Sequence, residues 1–150
     1  MNFHGAAGME AEMKMDDCIF CKIANGQIPS KTLYEDERFR VILDLGPVTK
    51  GHALILPKEH AANLYELPED TAGEVMRLAK KMAGTMREKL HCDGLNLMQN
   101  NGAVAGQTVE HFHLHIIPRY LNDGQNVNWV HGESSQEELE AVRREIVGNA

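Results

Sequence analysis

The stretch His111-Phe112-His113-Leu114-His115-Ile116-Ile117 constrains the fold more than any other part of the chain. Imidazoles alternate in it with apolar residues, and on a β-strand successive side chains point to opposite faces. The spacing predicts a strand over 110–117, closed by Pro118. His111, His113 and His115 then share one face, while Phe112, Leu114 and Ile116 share the other. The apolar face needs a covering layer. The best helix in the chain is available for that, opened by Pro68 with Glu69 and Asp70 in its first turn, where carboxylates suit the helix dipole. Its stripe at helical spacing is Ala72, Val75, Met76, Ala79, Met82, Ala83, Met86 and Leu90. Gly73 and Gly84 weaken it by up to ~1 kcal/mol each relative to Ala.

Around this pair the remaining elements fall into place. A short helix is expected over 18–25, ended by Gly26. Strands are expected over 32–35, 39–43, 51–56 and 95–99. Ser134 with Glu137, or Ser135 with Glu138, would cap a last helix carrying Leu139, Val142 and Ile146 on one face. Tight turns and one long helix between the third and fourth strands predict an α+β fold, an antiparallel five-stranded sheet with the long helix on one face. At 150 residues and 43% hydrophobic the chain suits one domain, 17–150, with 1–16 expected to be a flexible tail or a cloning remnant.

The net charge of −7 argues against binding nucleic acid or an anionic membrane through a broad positive field. Phosphate remains a possible ligand, because backbone amides and imidazoles hold it without a Lys/Arg patch. No apolar run is long enough to span a bilayer, and no signal-like start is visible, so a cytoplasmic setting is expected. In that setting Cys18-x-x-Cys21 points to a metal or redox role more than to a structural disulfide.

Three imidazoles in a row admit three readings. They form a surface cluster, a metal site, or a nucleophile with flanking groups that orient it and hold an anion. No carboxylate lies on the same face of that strand to complete the usual catalytic ligand sets, so no catalytic metal is expected. The preceding loop, Asn100 to Thr108, favours the nucleophile. Gly102 and Gly106 permit close backbone approach, and Gln107 and Thr108 supply an amide and a hydroxyl.

The histidine run, preceded by Ala105-Gly106-Gln107-Thr108, closely resembles the histidine triad (HIT) nucleotide hydrolases and transferases. The resemblance extends from about Cys18 to Arg119 and takes in Asp44 and the run from Gly51 to His60. It implies that His113 attacks an α-phosphate and forms a nucleotidyl-histidine that water hydrolyses. It implies that the His111 carbonyl orients His113, that His115 contacts the transferred phosphate, and that His52 supports the first triad histidine, His111. Gly106, Gln107, Thr108 and Asn100 then lie near phosphate or ribose. Asp44 accepts the ribose hydroxyls, and Phe20, Ile23, Ile42 and Leu45 surround a purine base. For Cys18, Cys21, His60 and His111 the resemblance implies a structural zinc. It also implies a homodimer joined through the long helices and fourth strands. Phosphoramidates and dinucleoside polyphosphates both remain open as substrates, as does a nucleotide-binding or interaction module with little turnover.

Overall fold

The computed structural model describes residues 17–149, so the expected N-terminal tail lies outside the described residues. Strands β1 (Thr32–Glu35), β2 (Phe39–Leu43), β3 (Ala53–Pro57), β4 (Gly94–Met98) and β5 (Leu114–Arg119) form one antiparallel sheet in the order β1-β2-β3-β5-β4. Helix α1 (Ile19–Ala24) precedes the sheet, α2 (Glu69–Leu90) joins β3 to β4, and α3 (Gln136–Val147) ends the described chain.

The two faces of the sheet are covered differently. On one, α2 lays Val75, Leu78, Ala79, Met82 and Met86 against Val41, Ile55, Phe112, Leu114 and Ile116, the main core. The alternation that buries Phe112, Leu114 and Ile116 here therefore turns the histidines to the other side. That second face carries a smaller cluster of Ala24, Ile42, Leu54 and Leu56, with Phe20 and Ile23 of α1 packed on it. The histidines lie on this same face, with His111 and His113 buried beside Phe20 of α1.

The histidine strand differs from its expected bounds. It begins at Leu114 and runs through Pro118 to Arg119. The Phe112 N–H is used by the Ala61 carbonyl (2.7 Å), which draws 111–113 toward the loop after β3 before pairing with β3 begins. Pro118 is accommodated opposite Leu95 and does not end its strand, while Pro57, opposite Phe39, is the last residue of β3. β3 starts two residues late because Gly51 has φ +91°, in the left-handed region. A Cβ there would meet Leu90 at 2.4 Å, so this turn before His52 requires glycine.

At the other end, Ser135 and Glu138 form a reciprocal capping box on α3. Leu139, Val142 and Ile146 are 50%, 51% and 77% exposed, so the apolar face of α3 is unburied within the described chain.

Candidate active site

Four imidazoles meet on the α1 side of the sheet, and main-chain atoms assign their protons. The Nδ1 of His113 lies 2.7 Å from the His111 carbonyl oxygen, which can only accept. Nδ1 therefore carries the proton, and Nε2 of His113 presents a lone pair. The Nε2 of His111 lies 2.8 Å from the Pro57 carbonyl and donates to it, leaving its Nδ1 as a lone pair. His52 is fixed in the opposite sense. The Val48 N–H donates to its Nδ1 (3.1 Å), so Nε2 carries the hydrogen and donates to Nδ1 of His115 (2.9 Å). His115 must then carry its own proton on Nε2. The structure thus sets His52 against His115, whereas the resemblance put it behind His111. The cause is register: Leu54 is the partner of His115, which brings the preceding residues of β3 alongside the C-terminal half of β5.

Burial keeps these rings neutral. His113 is 6% exposed, and desolvation pulls its pKa below the ordinary imidazole value, opposed by its bond to the His111 carbonyl and by the Asp44 charge. His115 is lowered to about 4, first by burial and then by the neighbouring imidazoles His113 and His52. The His113 and His115 rings stand edge to face at 4.9 Å, and Phe20 touches His113 at the same centroid distance. A neutral nucleophilic nitrogen and an N–H donor thus sit side by side at neutral pH.

Other expected residues sit as follows. One Asp44 oxygen accepts the Gly46 N–H (2.8 Å), and the other lies 3.6 Å from Nε2 of His52. Asp44, His52 and His115 bring three potential ligand atoms within 4.8 Å of one another. The proton that Val48 places on His52 Nε2 goes to His115, and Asp44, 3.6 Å away, faces that pair without a hydrogen bond to it. Ile42 is buried and Phe20 and Ile23 are half-buried beside it, but Leu45 is 93% exposed and forms no wall in one chain. The loop before the triad is tightly braced. Gln107 donates to the Ala62 and Val109 carbonyls and accepts the Gly102 N–H, so its amide is spent within the loop, and Thr108 is the exposed donor. Gly106 has φ +99°, and a Cβ there would press on Asn100 at 3.3 Å.

Behind the triad a second cluster forms. Cys21 Sγ lies 3.2 Å from His60 Nδ1 and 3.4 Å from His111 Nδ1, and Cys18 Sγ lies 3.3 Å from His111 Nδ1. All four ligand atoms fall within 4.8 Å of one another. Burial, followed by Cys18, pushes the Cys21 thiol up to about 12. With the thiols deprotonated, two sulfurs and two imidazole nitrogens present four lone pairs to one point. A divalent cation would satisfy them, and two sulfurs with two nitrogens fit a closed tetrahedral set. The cluster can therefore bind a metal.

Sequence reasoning missed the Val48 N–H and the Pro57 carbonyl, because main-chain partners of a side chain leave no mark in residue identity.

Residues 25–122 match the HIT domain family. The adenosine 5′-monophosphoramidase of Schizosaccharomyces pombe is 41% identical over 86% of this chain and 95% of its own length. A HIT family protein from Bacillus anthracis superposes with a TM-score of 0.83 at 40% identity, covering 90% of this chain and 98% of that one. A Zn-bound histidine triad family protein from Mycobacterium smegmatis gives a TM-score of 0.67 at 37% identity over 86% of this chain and 90% of its own.

Proposed function

The chain belongs to the histidine triad (HIT) family, and from that premise we propose that it hydrolyses purine nucleoside phosphoramidates or related nucleotidyl conjugates through a covalent intermediate on His113. The observation that carries this reading is the His113 Nδ1–H bond to the His111 carbonyl, which leaves a neutral Nε2 lone pair on the ring. His113 Nε2 attacks phosphorus and the P–N bond breaks. The nitrogen takes one proton from solvent as it leaves as the free amine. The nucleotidylated ring is cationic, and its Nδ1–H is held by the carbonyl dipole of His111. Water then attacks phosphorus, neutral His113 departs, and the water sheds one proton, so the proton count closes over the cycle. His115 offers Nε2–H to a phosphate oxygen, and Thr108 stands at the loop that precedes it. Positioning and charge stabilisation of this kind supply most of the rate in phosphoryl transfer. Asp44, Ile42, Phe20 and Ile23 are assigned to the nucleoside end, where the Asp44 side chain is 24% exposed.

Zinc is assigned to Cys18, Cys21, His60 and His111, supported by the convergence of their ligand atoms and by the zinc-bound relative. When bound it would supply a structural cross-link. Cys18 and Cys21 come from the turn at α1, and His111 is the residue whose carbonyl holds His113, so the cluster braces the nucleophile's own support. A homodimer is also assigned, extending the sheet from β4, an edge strand in the described chain.

Side-by-side turnover of adenosine 5′-phosphoramidate and diadenosine tetraphosphate, with AMP binding measured in parallel, tests the reading. Phosphoramidate turnover that disappears in His113→Ala, with AMP affinity kept within about tenfold, is expected. Acid-free quenching should trap the nucleotidyl adduct on His113. Substantial turnover by the alanine variant removes the covalent mechanism. AMP binding without turnover of either compound leaves a binding module.

A further inference from the structure

The ladder between β3 and β5 ends early. Its last pair is Ala53 with Ile116, yet β5 runs on to Arg119, paired there with β4. Two steps further, the same register would set Gly51 opposite Pro118. Gly51 instead turns the chain at φ +91°, so close that a Cβ on it would press on the Pro118 ring at 3.3 Å. What reaches the Pro118 carbonyl from this side is a side chain. The Thr49 hydroxyl donates to it at 2.6 Å, a buried bond between residues 69 apart in the chain.

Among the buried polar side chains of the described residues, His52, His111 and His113 belong to the imidazole set and Thr71 accepts from Arg38, which leaves Thr49. Its main chain closes the turn that leads into β3. The Thr49 carbonyl accepts the His52 N–H (3.2 Å), with Gly51 at the left-handed position of that turn. The adjacent Val48 N–H reaches across the same turn to His52 Nδ1 at 3.1 Å. Two further bonds tie this loop to the chain around and beyond the end of β5. The Tyr120 hydroxyl donates to the Lys50 carbonyl (2.7 Å) and Gln125 Nε2 to the Val48 carbonyl (3.0 Å), and both bonds are exposed. Water can stand in for either of those donors, whereas a buried carbonyl deprived of Thr49 has no such substitute.

We infer that Thr49 is a positioning residue for the reaction, holding the Val48 N–H against His52 so that the His115 proton stays on the nitrogen offered to phosphate. The inference rests on the roles assigned above to His113 and His115. The Val48–His52 bond has little slack, since 3.1 Å already lies toward the long end of the hydrogen-bond range. Once that bond is lost, the neutral His52–His115 pair can reverse. His115 Nδ1–H then donates to His52 Nε2, and His115 Nε2 becomes a lone pair with no hydrogen for a phosphate oxygen. Asp44, 3.6 Å from His52 Nε2, still favours the proton there but forms no hydrogen bond that holds it. Loss of the Thr49 hydroxyl therefore mixes the two tautomers instead of inverting them.

Thr49→Val keeps the shape of the side chain and removes the hydroxyl, while Thr49→Ser keeps the hydroxyl. On adenosine 5′-phosphoramidate Thr49→Val should lose about tenfold in kcat, short of the roughly 100-fold that a 1 Å misplacement can cost. AMP affinity should stay within about twofold, and kcat of Thr49→Ser within about threefold of wild type. Imidazole ¹⁵N spectra taken without substrate should show His115 Nδ1 as an acceptor in wild type and Thr49→Ser, and both tautomers in Thr49→Val. Wild-type kcat in Thr49→Val, an unchanged His115 tautomer there, or an equal loss in Thr49→Ser overturns the inference. Should Thr49→Val not fold, Tyr120→Phe/Gln125→Ala decides, because it cuts the two exposed ties and leaves Thr49 in place. Its kcat should stay within about threefold of wild type; a larger loss shows the turn to be held from the surface and overturns the inference. Wild type without turnover removes the phosphoramidate reading instead, and the spectra still decide Thr49.

Discussion

Replacing His52 by Phe keeps a buried ring behind His115 and removes its two hydrogen bonds, along with the Asp44 oxygen's polar neighbour at 3.6 Å. The Val48 N–H loses its acceptor at 3.1 Å, and His115 Nδ1 loses its donor at 2.9 Å. Each partner left unpaired costs about 1 kcal/mol, toward the low end because both lie at the edge of burial. A sum of about 2 kcal/mol corresponds to a Tm lower by roughly 4–8 °C in a domain of this size. The catalytic loss is larger. Without a donor at Nδ1 nothing fixes the His115 proton on Nε2, and the N–H aimed at phosphate is no longer guaranteed. A fall in kcat of about 100-fold is expected, the lower range for a mispositioned proton-handling group, with AMP affinity little changed. Imidazole ¹⁵N spectra separate this from general damage. In wild type His115 Nδ1 should read as an unprotonated acceptor and Nε2 as protonated, and the variant should lose that distinction. A kcat within threefold of wild type, or a His115 tautomer unchanged in the variant, refutes the reasoning.

The metal cluster predicts about one zinc per chain by elemental analysis, lost in Cys18→Ser/Cys21→Ser together with thermal stability; metal-free protein of full stability removes the site. Asp44→Asn keeps an oxygen for the Gly46 N–H but removes the charge that raises the His113 pKa. The His113 pKa already lies below 6.5, so activity should persist as pH falls past that value and fade on protonation of His113. In the variant that acid limb should move to still lower pH. Asp44→Asn should also weaken AMP binding by about tenfold yet barely affect 2′-deoxy-AMP; equal losses would return Asp44 to its turn.

What could be read from sequence was periodicity, and what could not was main-chain partnership. The alternation from His111 to Ile117 correctly separated the faces, because a period of two survives even where 111–113 leaves the ladder for Ala61. Val75, Ala79, Met82 and Met86 of the α2 stripe and the α3 capping box were legible because helical spacing and cap chemistry are local, whereas Met76 of that stripe is exposed and Leu78, outside it, is buried. The grouping of Cys18 and Cys21 with His60 and His111 rested on resemblance, since nothing local says that residues 90 apart converge. The partner of His52 was misjudged because β3–β5 register decides it. The inward turn of Gln107 was equally invisible, since an amide in a glycine-rich loop serves a ligand or the loop with the same residue type.

Three main-chain groups, the His111 and Pro57 carbonyls and the Val48 N–H, decide where the protons of four imidazoles reside. A peptide group persists whatever side chain it bears. Any residue but proline at position 48 therefore keeps the tautomer of His52 and, through it, that of His115. Proton placement in such an architecture is inherited with the backbone and is insulated from drift in the side chain at that position.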